Sequence, residues 1–118
     1  MALPLSLVTL RGERVRLEPL SLAHASGLLN AASESRETFR YTWVPEPTEE
    51  DVTRYINSAL SAHQNGTALP FATIRTDNES VVGTTRFMSA EYWPSPDGKP
   101  SDSVRPNAIE IGSTWLAK

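Results

Sequence analysis

Charged and apolar residues alternate along Arg14-Val15-Arg16-Leu17-Glu18-Pro19-Leu20. A period of two predicts a strand with one wetted face, and Pro19, which has no N–H to give a ladder, closes it. The period then lengthens. Ser21 is suited to cap a helix from Leu22 to about Ala32, with Leu22, Ala25, Leu28 and Leu29 on one stripe. Gly27 inside that stripe weakens helical regularity. Residues 33–47 hold no sustained period. A short helix is compatible with 33–39, but Pro45 and Pro47 push the residues before them out of the helical region. The clearest helix opens at Thr48. Thr48-Glu49-Glu50-Asp51 has the form of a capping box with Asp in place of Glu, and three acidic residues in the first turn suit the positive end of the helix dipole. Val52, Tyr55, Ile56, Ala59 and Leu60 follow at helical spacing, and Asn65-Gly66 ends the helix.

Two β-rich runs come next, at about 69–76 and 81–88. Asp77-Asn78-Glu79-Ser80 joins them, which predicts an antiparallel hairpin. Residues 89–106 carry Pro94, Pro96, Gly98, Pro100 and Pro106 and read as a long loop, a length that points to function or mobility. A last strand begins near Asn107. The order β-α-(α)-α-β-β-loop-β predicts a layered α/β (α+β) fold, a mainly antiparallel sheet covered by N-terminal helices. Ile109, Ile111 and Trp115 make the last strand more apolar than a solvated edge should be. The expectation is that 1–118 is the N-terminal part of one domain, with 1–10 an apolar leader, and that the last strand drives self-association unless something continues the sheet.

Composition narrows the chemistry. The 118 residues hold 14 acidic and 11 basic side chains, a net charge of −3, and show no basic footprint for nucleic acid. No basic amphipathic stretch suits a membrane surface, and no run approaches the roughly 18 apolar residues of a membrane span. There is no cysteine, which removes disulfides, thiolate catalysis and thiolate metal sites and fits a cytoplasmic protein. His24 and His63 lie on different predicted helices, so no metal site is expected.

Four segments together resemble the GNAT superfamily of acetyl-CoA-dependent N-acetyltransferases, in the branch that acetylates ribosomal-protein N-termini. Residues 10–20, Leu10-Arg11-Gly12-Glu13 onward, are similar to its opening strand. Pro70-Phe71-Ala72-Thr73-Ile74-Arg75 resembles its second strand and Val81-Val82-Gly83-Thr84-Thr85-Arg86-Phe87 its third. Glu110-Ile111-Gly112-Ser113-Thr114-Trp115-Leu116 resembles its fourth. All four occur in order over nearly the whole chain. Ser113-Thr114 departs from the family pattern, which often has Tyr after Gly, in the manner of an insertion. The family's Gly-rich pyrophosphate loop and its later tyrosine general acid have no counterpart here. Such a loop aims backbone N–H groups and a helix N-terminus at phosphates, so residues 1–118 by themselves are expected to bind acetyl-CoA weakly or not at all and to be inactive.

The resemblance implies acetyl transfer from acetyl-CoA to an amine acceptor, a peptide N-terminus or a small-molecule amine, without a metal. Glu110 is the implied general base, since amine acetylation needs a group to take the ammonium proton. The competing reading is a structural carboxylate paired with Arg75 or Arg86. By strict alternation Glu110 shares a face with Gly112 and Thr114, while Ile109, Ile111, Ser113 and Trp115 take the other. Thr114, Trp115 and Leu116 are implied to hold the pantetheine arm through their backbone, against ordinary ladder pairing. Tyr41, Thr42 and Trp43 would line the acceptor, or else pack their loop on the sheet. Glu91, Tyr92 and Trp93 are a weaker version of the same idea. Arg86 would orient an acidic substrate or form a cross-strand ion pair. His63 is expected to face a helix C-terminus, and His24 to lie at the surface or boundary. The alternative to an enzyme is a small α/β interaction module that binds a partner by adding a strand to its last one.

Overall fold

The computed structural model describes residues 7–34, 44–91 and 108–117. Five strands form one sheet in the order β1-β2-β3-β4-β5, every neighbouring pair antiparallel: β1 (Leu10–Arg11), β2 (Val15–Pro19), β3 (Ala68–Arg75), β4 (Val81–Glu91) and β5 (Ala108–Leu116). The two-residue β1 splits the opening segment that the resemblance drew over residues 10–20, and takes Leu10 out of the expected apolar leader. Leu10 pairs with Leu17 and Arg11 with Arg16, across a turn in which Gly12 N–H donates to Val15 O at 2.9 Å.

Between β2 and β3 the chain makes a 3-10 turn (Leu22–His24) and two helices, α1 (Ala25–Glu34) and α2 (Glu49–Gln64). Both helices lie on one face of the sheet. Leu28, Ala31 and Ala32 of α1 and Val52, Tyr55, Ile56 and Ala59 of α2 bury against Ala72 and Trp115, with Leu20 and Val44 at the margins. Gly27 is what lets α1 come this close. A Cβ there would lie 2.7 Å from Val81 Cβ and 2.8 Å from its Cγ2. The opposite face of the sheet carries a smaller apolar layer, in which Phe71 and Phe87 meet edge to face at 5.6 Å between ring centres.

The α2 cap differs from the expected box in one respect. Asp51 N–H donates to Thr48 Oγ1 at 3.2 Å as predicted, but the Asp51 carboxylate accepts from Glu46 N–H at 2.7 Å rather than from the N-cap residue itself. Asp is one methylene shorter than Glu, and the chain before Thr48 folds back to meet it. Thr48→Ala is expected to lower stability by about 1 kcal/mol in urea unfolding. A change of under about 0.3 kcal/mol would show that the Asp51 contacts alone fix the helix start. At the other end Gly66 has φ 77, and the His63 ring N–H donates to Ala68 O at 3.0 Å, tying the end of α2 to β3.

The β3–β4 turn is fixed from outside. Asn78 Oδ1 accepts from Ser80 N–H at 3.0 Å, and Glu79, at φ 57, holds Arg16 of β2 through two hydrogen bonds of 2.6 Å. The Arg16 guanidinium keeps the Glu79 carboxyl below the usual carboxylate range.

Candidate functional site

The register of β4 against β5 slips twice, and Glu110 lies between the slips. Thr84 faces Trp115 while Arg86 faces Gly112, so β5 carries one extra residue there. Met88 faces Glu110 while Glu91 faces Ala108, so β4 carries one extra residue at the other end. Each bulge has a serine in the left-handed region, Ser113 at φ 47 and Ser89 at φ 53. A non-glycine residue held there costs on the order of 1 kcal/mol and persists where its surroundings over-determine it. Bulges of this kind bend a strand and re-aim its side chains, and they are common beside active sites.

The β5 bulge corrects the alternation expected from sequence. Gly112 and Trp115, not Gly112 and Thr114, lie on one face, because Arg86 and Thr84 opposite them are two residues apart on an unbroken strand. Glu110, opposite Met88, shares that face, which is the side of the helices. Thr114 turns to the other side, where its hydroxyl meets Thr85 Oγ1 at 2.6 Å. The indole of Trp115, 3% exposed, enters the core and donates from Nε1 to Tyr55 OH at 3.4 Å. The same hydroxyl contacts Thr84 Oγ1 at 2.8 Å. Every buried side-chain polar atom among the described residues has a partner.

Glu110 is exposed, with Oε1 3.9 Å from the place a Cβ on Gly112 would take. Neither arginine weighed as its structural partner holds it among the described residues. Arg75 pairs with Asp77 at 2.5 Å, and Arg86 faces Gly112 across the ladder. The carboxylate is therefore open to solvent and to a ligand on the helix side of the sheet.

β5 is the edge of the described sheet. Ala117 N–H donates inward to Val82 O at 2.7 Å, so by strand alternation Leu116, and Thr114 beyond the inward-facing Trp115, turn backbone N–H and C=O groups away from β4. An extended, amide-bearing ligand can pair with such groups as a strand would. Ile111 is 67% exposed and Leu116 50%, which gives the edge an apolar lining as well.

Tyr41, Thr42 and Trp43, and also Tyr92 and Trp93, lie outside the described residues. A groove of about 470 Å³ runs between the two helices, lined by Leu22, Ala25, Leu29 and Val52 with Ser26 and Glu49 at its rim, and no β5 residue borders it. His24 takes a capping role, its Nδ1 accepting from Ser21 N–H at 3.0 Å. Among the described residues no three His, Cys, Asp or Glu side chains converge as metal ligands, and no helix is long and apolar enough to cross a membrane. Tyr55, read from sequence only as part of an apolar stripe, is the residue at this site that periodicity missed. The available hint was its hydroxyl, which a buried tyrosine must satisfy.

The sequence pattern of the acetyltransferase (GNAT) domain family matches residues 14–117. No curated protein sequence matches the chain. Among solved structures, a GCN5-related N-acetyltransferase from Brucella melitensis is 25% identical with a TM-score of 0.66, over 95% of this chain and 46% of its own. The ribosomal L7/L12 alpha-N-protein acetyltransferase RimL, solved with coenzyme A, is 15% identical with a TM-score of 0.63, over 93% of this chain and 56% of its own. The Microcin C7 self-immunity acetyltransferase MccE, solved with acetyl-CoA and AMP, is 16% identical with a TM-score of 0.64, over 90% of this chain and 52% of its own. The chain thus spans about half the length of these solved relatives, and the last two likenesses speak for the fold alone. With the family pattern running from Arg14 to Ala117 across the helices and the bulged β4–β5 pair, this chain belongs to the GNAT acetyltransferase family.

Proposed function

We propose that the chain serves an N-acetyltransferase that moves the acetyl group of acetyl-CoA to an amine. The observation that carries this reading is the β5 edge, where outward backbone groups at Thr114 and Leu116 lie on the same strand as the exposed carboxylate of Glu110. Acetyl-CoA supplies the activated thioester and an arm with two amides. Thr114 and Leu116 hold that arm by backbone pairing, with Trp115 between them as the anchor of the strand. Glu110 takes the proton that the acceptor's ammonium must lose, directly or through one water; the freed nitrogen lone pair attacks the thioester carbonyl, the C–S bond breaks, and coenzyme A leaves as a thiolate that is protonated from solvent. Tyr41, Thr42 and Trp43 contribute to the acceptor side. The acceptor is an amine, as a peptide N-terminus or a small molecule.

The test uses the protein as its gene encodes it, with acetyl-CoA and a panel of peptides and small amines read by mass spectrometry. Acetylated amine is the expected product. Glu110→Gln is expected to lower kcat about 10²–10⁴-fold and to leave the acetyl-CoA KM unchanged. Full activity in Glu110→Gln overturns the role of the base, and no transfer to any amine overturns the reading as a whole.

A further inference from the structure

The β5 bulge is the feature on which the proposed cofactor edge depends. Two registers are open to the end of β5. In an unbulged strand Trp115 would face away from the helices and Thr114 would face them. In the observed register the reverse holds, at the cost of a left-handed Ser113. On the helix side the indole enters a buried socket under α2 with the Tyr55 hydroxyl aimed into it. Tyr55 is 2% exposed, and its OH touches both members of the pair that closes the bulge: Thr84 Oγ1 at 2.8 Å and Trp115 Nε1 at 3.4 Å. The Thr85–Thr114 hydroxyl pair, at 2.6 Å, braces the opposite face.

We propose that Tyr55 is a positioning residue for the acetyl-CoA-facing segment of β5, holding the bulge at Ser113 by joining Thr84 to Trp115 across the core. Tyr55 acts through these two residues, without contact to the cosubstrate, and its catalytic consequence rests on the cofactor reading above. Loss of its hydroxyl removes the described partner of a buried threonine and loosens the indole that keeps Thr114 and Leu116 in register. The outward backbone groups then sample the unbulged strand, so cosubstrate pairing weakens while the base on the far side of the bulge is untouched.

The experiment compares Tyr55→Phe with Ile56→Val, a change on the same helix that leaves the hydroxyl network intact and serves as a control for general loosening of the core. Amide hydrogen exchange and steady-state kinetics are measured on both. Tyr55→Phe is expected to speed exchange at residues 113–116 about tenfold relative to β3 and to raise the acetyl-CoA KM about tenfold, with kcat within about twofold of wild type. Ile56→Val is expected to leave the KM and the exchange at 113–116 unchanged. The proposal is overturned if Tyr55→Phe leaves exchange at 113–116 unchanged, if the two variants behave alike, or if exchange rises without any change in KM. A wild type that never uses acetyl-CoA sinks the cofactor reading and with it the catalytic half of the proposal, whereas the exchange data still decide whether Tyr55 holds the bulge.

Discussion

Gly83→Ala is expected to detach β5 from the sheet. A Cβ on Gly83 would lie 2.9 Å from Trp115 C and 3.0 Å from Leu116 Cα, and closer still to the Trp115 carbonyl oxygen. All three atoms are backbone, so no rotamer change relieves the clash. Either β5 moves away as a unit, dragging Trp115 out of the core, or β4 breaks its pairing with β3. Both cost more than ordinary overpacking, and the loss is expected to be about 3 kcal/mol or more, a large share of the 5–15 kcal/mol typical of a domain. Denaturant unfolding with amide exchange along residues 108–116 measures it. Gly112→Ala is the instructive comparison. There the first atom met is Met88 Cε, the free end of a flexible side chain that can swing aside, and the cost is expected to stay below about 1 kcal/mol. If the two alanines prove equally mild, β5 is not held against β4 at Gly83 in the way the structure describes.

The contrast between these glycines shows where sequence reading stops. The helix at Glu49–Gln64 was legible because its cap, its acidic first turn and its apolar spacing all state the same thing locally. The strands at Ala68–Arg75 and Val81–Glu91 were legible as β-rich runs around a polar turn, except that 89–91, read as the start of the long loop, belong to the second strand. The face assignment in β5 was not. Alternation assumes one residue per step, and Ser113 is an extra one. The insertion-like spelling Ser113-Thr114 marked the place without saying that the strand would bulge there. Nor could periodicity connect Tyr55 to Trp115, because the contact spans sixty positions and is made by a hydroxyl that an apolar stripe does not count. β1 escaped for a related reason, since two residues hold no period and the strand exists only through its pairing with β2. For the site, family resemblance singled out Glu110 and the strand around it. Sequence alone could not decide the pairing of Glu110 with Arg75, and in the structure Arg75 is engaged with Asp77 instead.

Trp115→Ala tests the origin of the bulge directly. The indole is 3% exposed and packs in the core with Tyr55, so its removal is expected to cost about 4 kcal/mol, the lost transfer energy together with the cavity it leaves. More than stability is at stake, because the indole is what pays for a left-handed Ser113. Without it the strained serine has no compensating burial on the helix side, and strict alternation becomes the lower-energy path for residues 112–116. A crystal structure of Trp115→Ala is expected to show Ser113 at negative φ, Thr114 turned toward α2 and the Thr85–Thr114 contact broken. Trp115→Phe separates burial from hydrogen bonding. It keeps most of the apolar volume and loses the N–H, so the bulge should persist, with a stability loss of about 1–2 kcal/mol. Should Trp115→Ala retain the bulge with a loss below about 2 kcal/mol, the backbone of β4 and β5 sets the register unaided, and the side chain merely occupies the place it leaves.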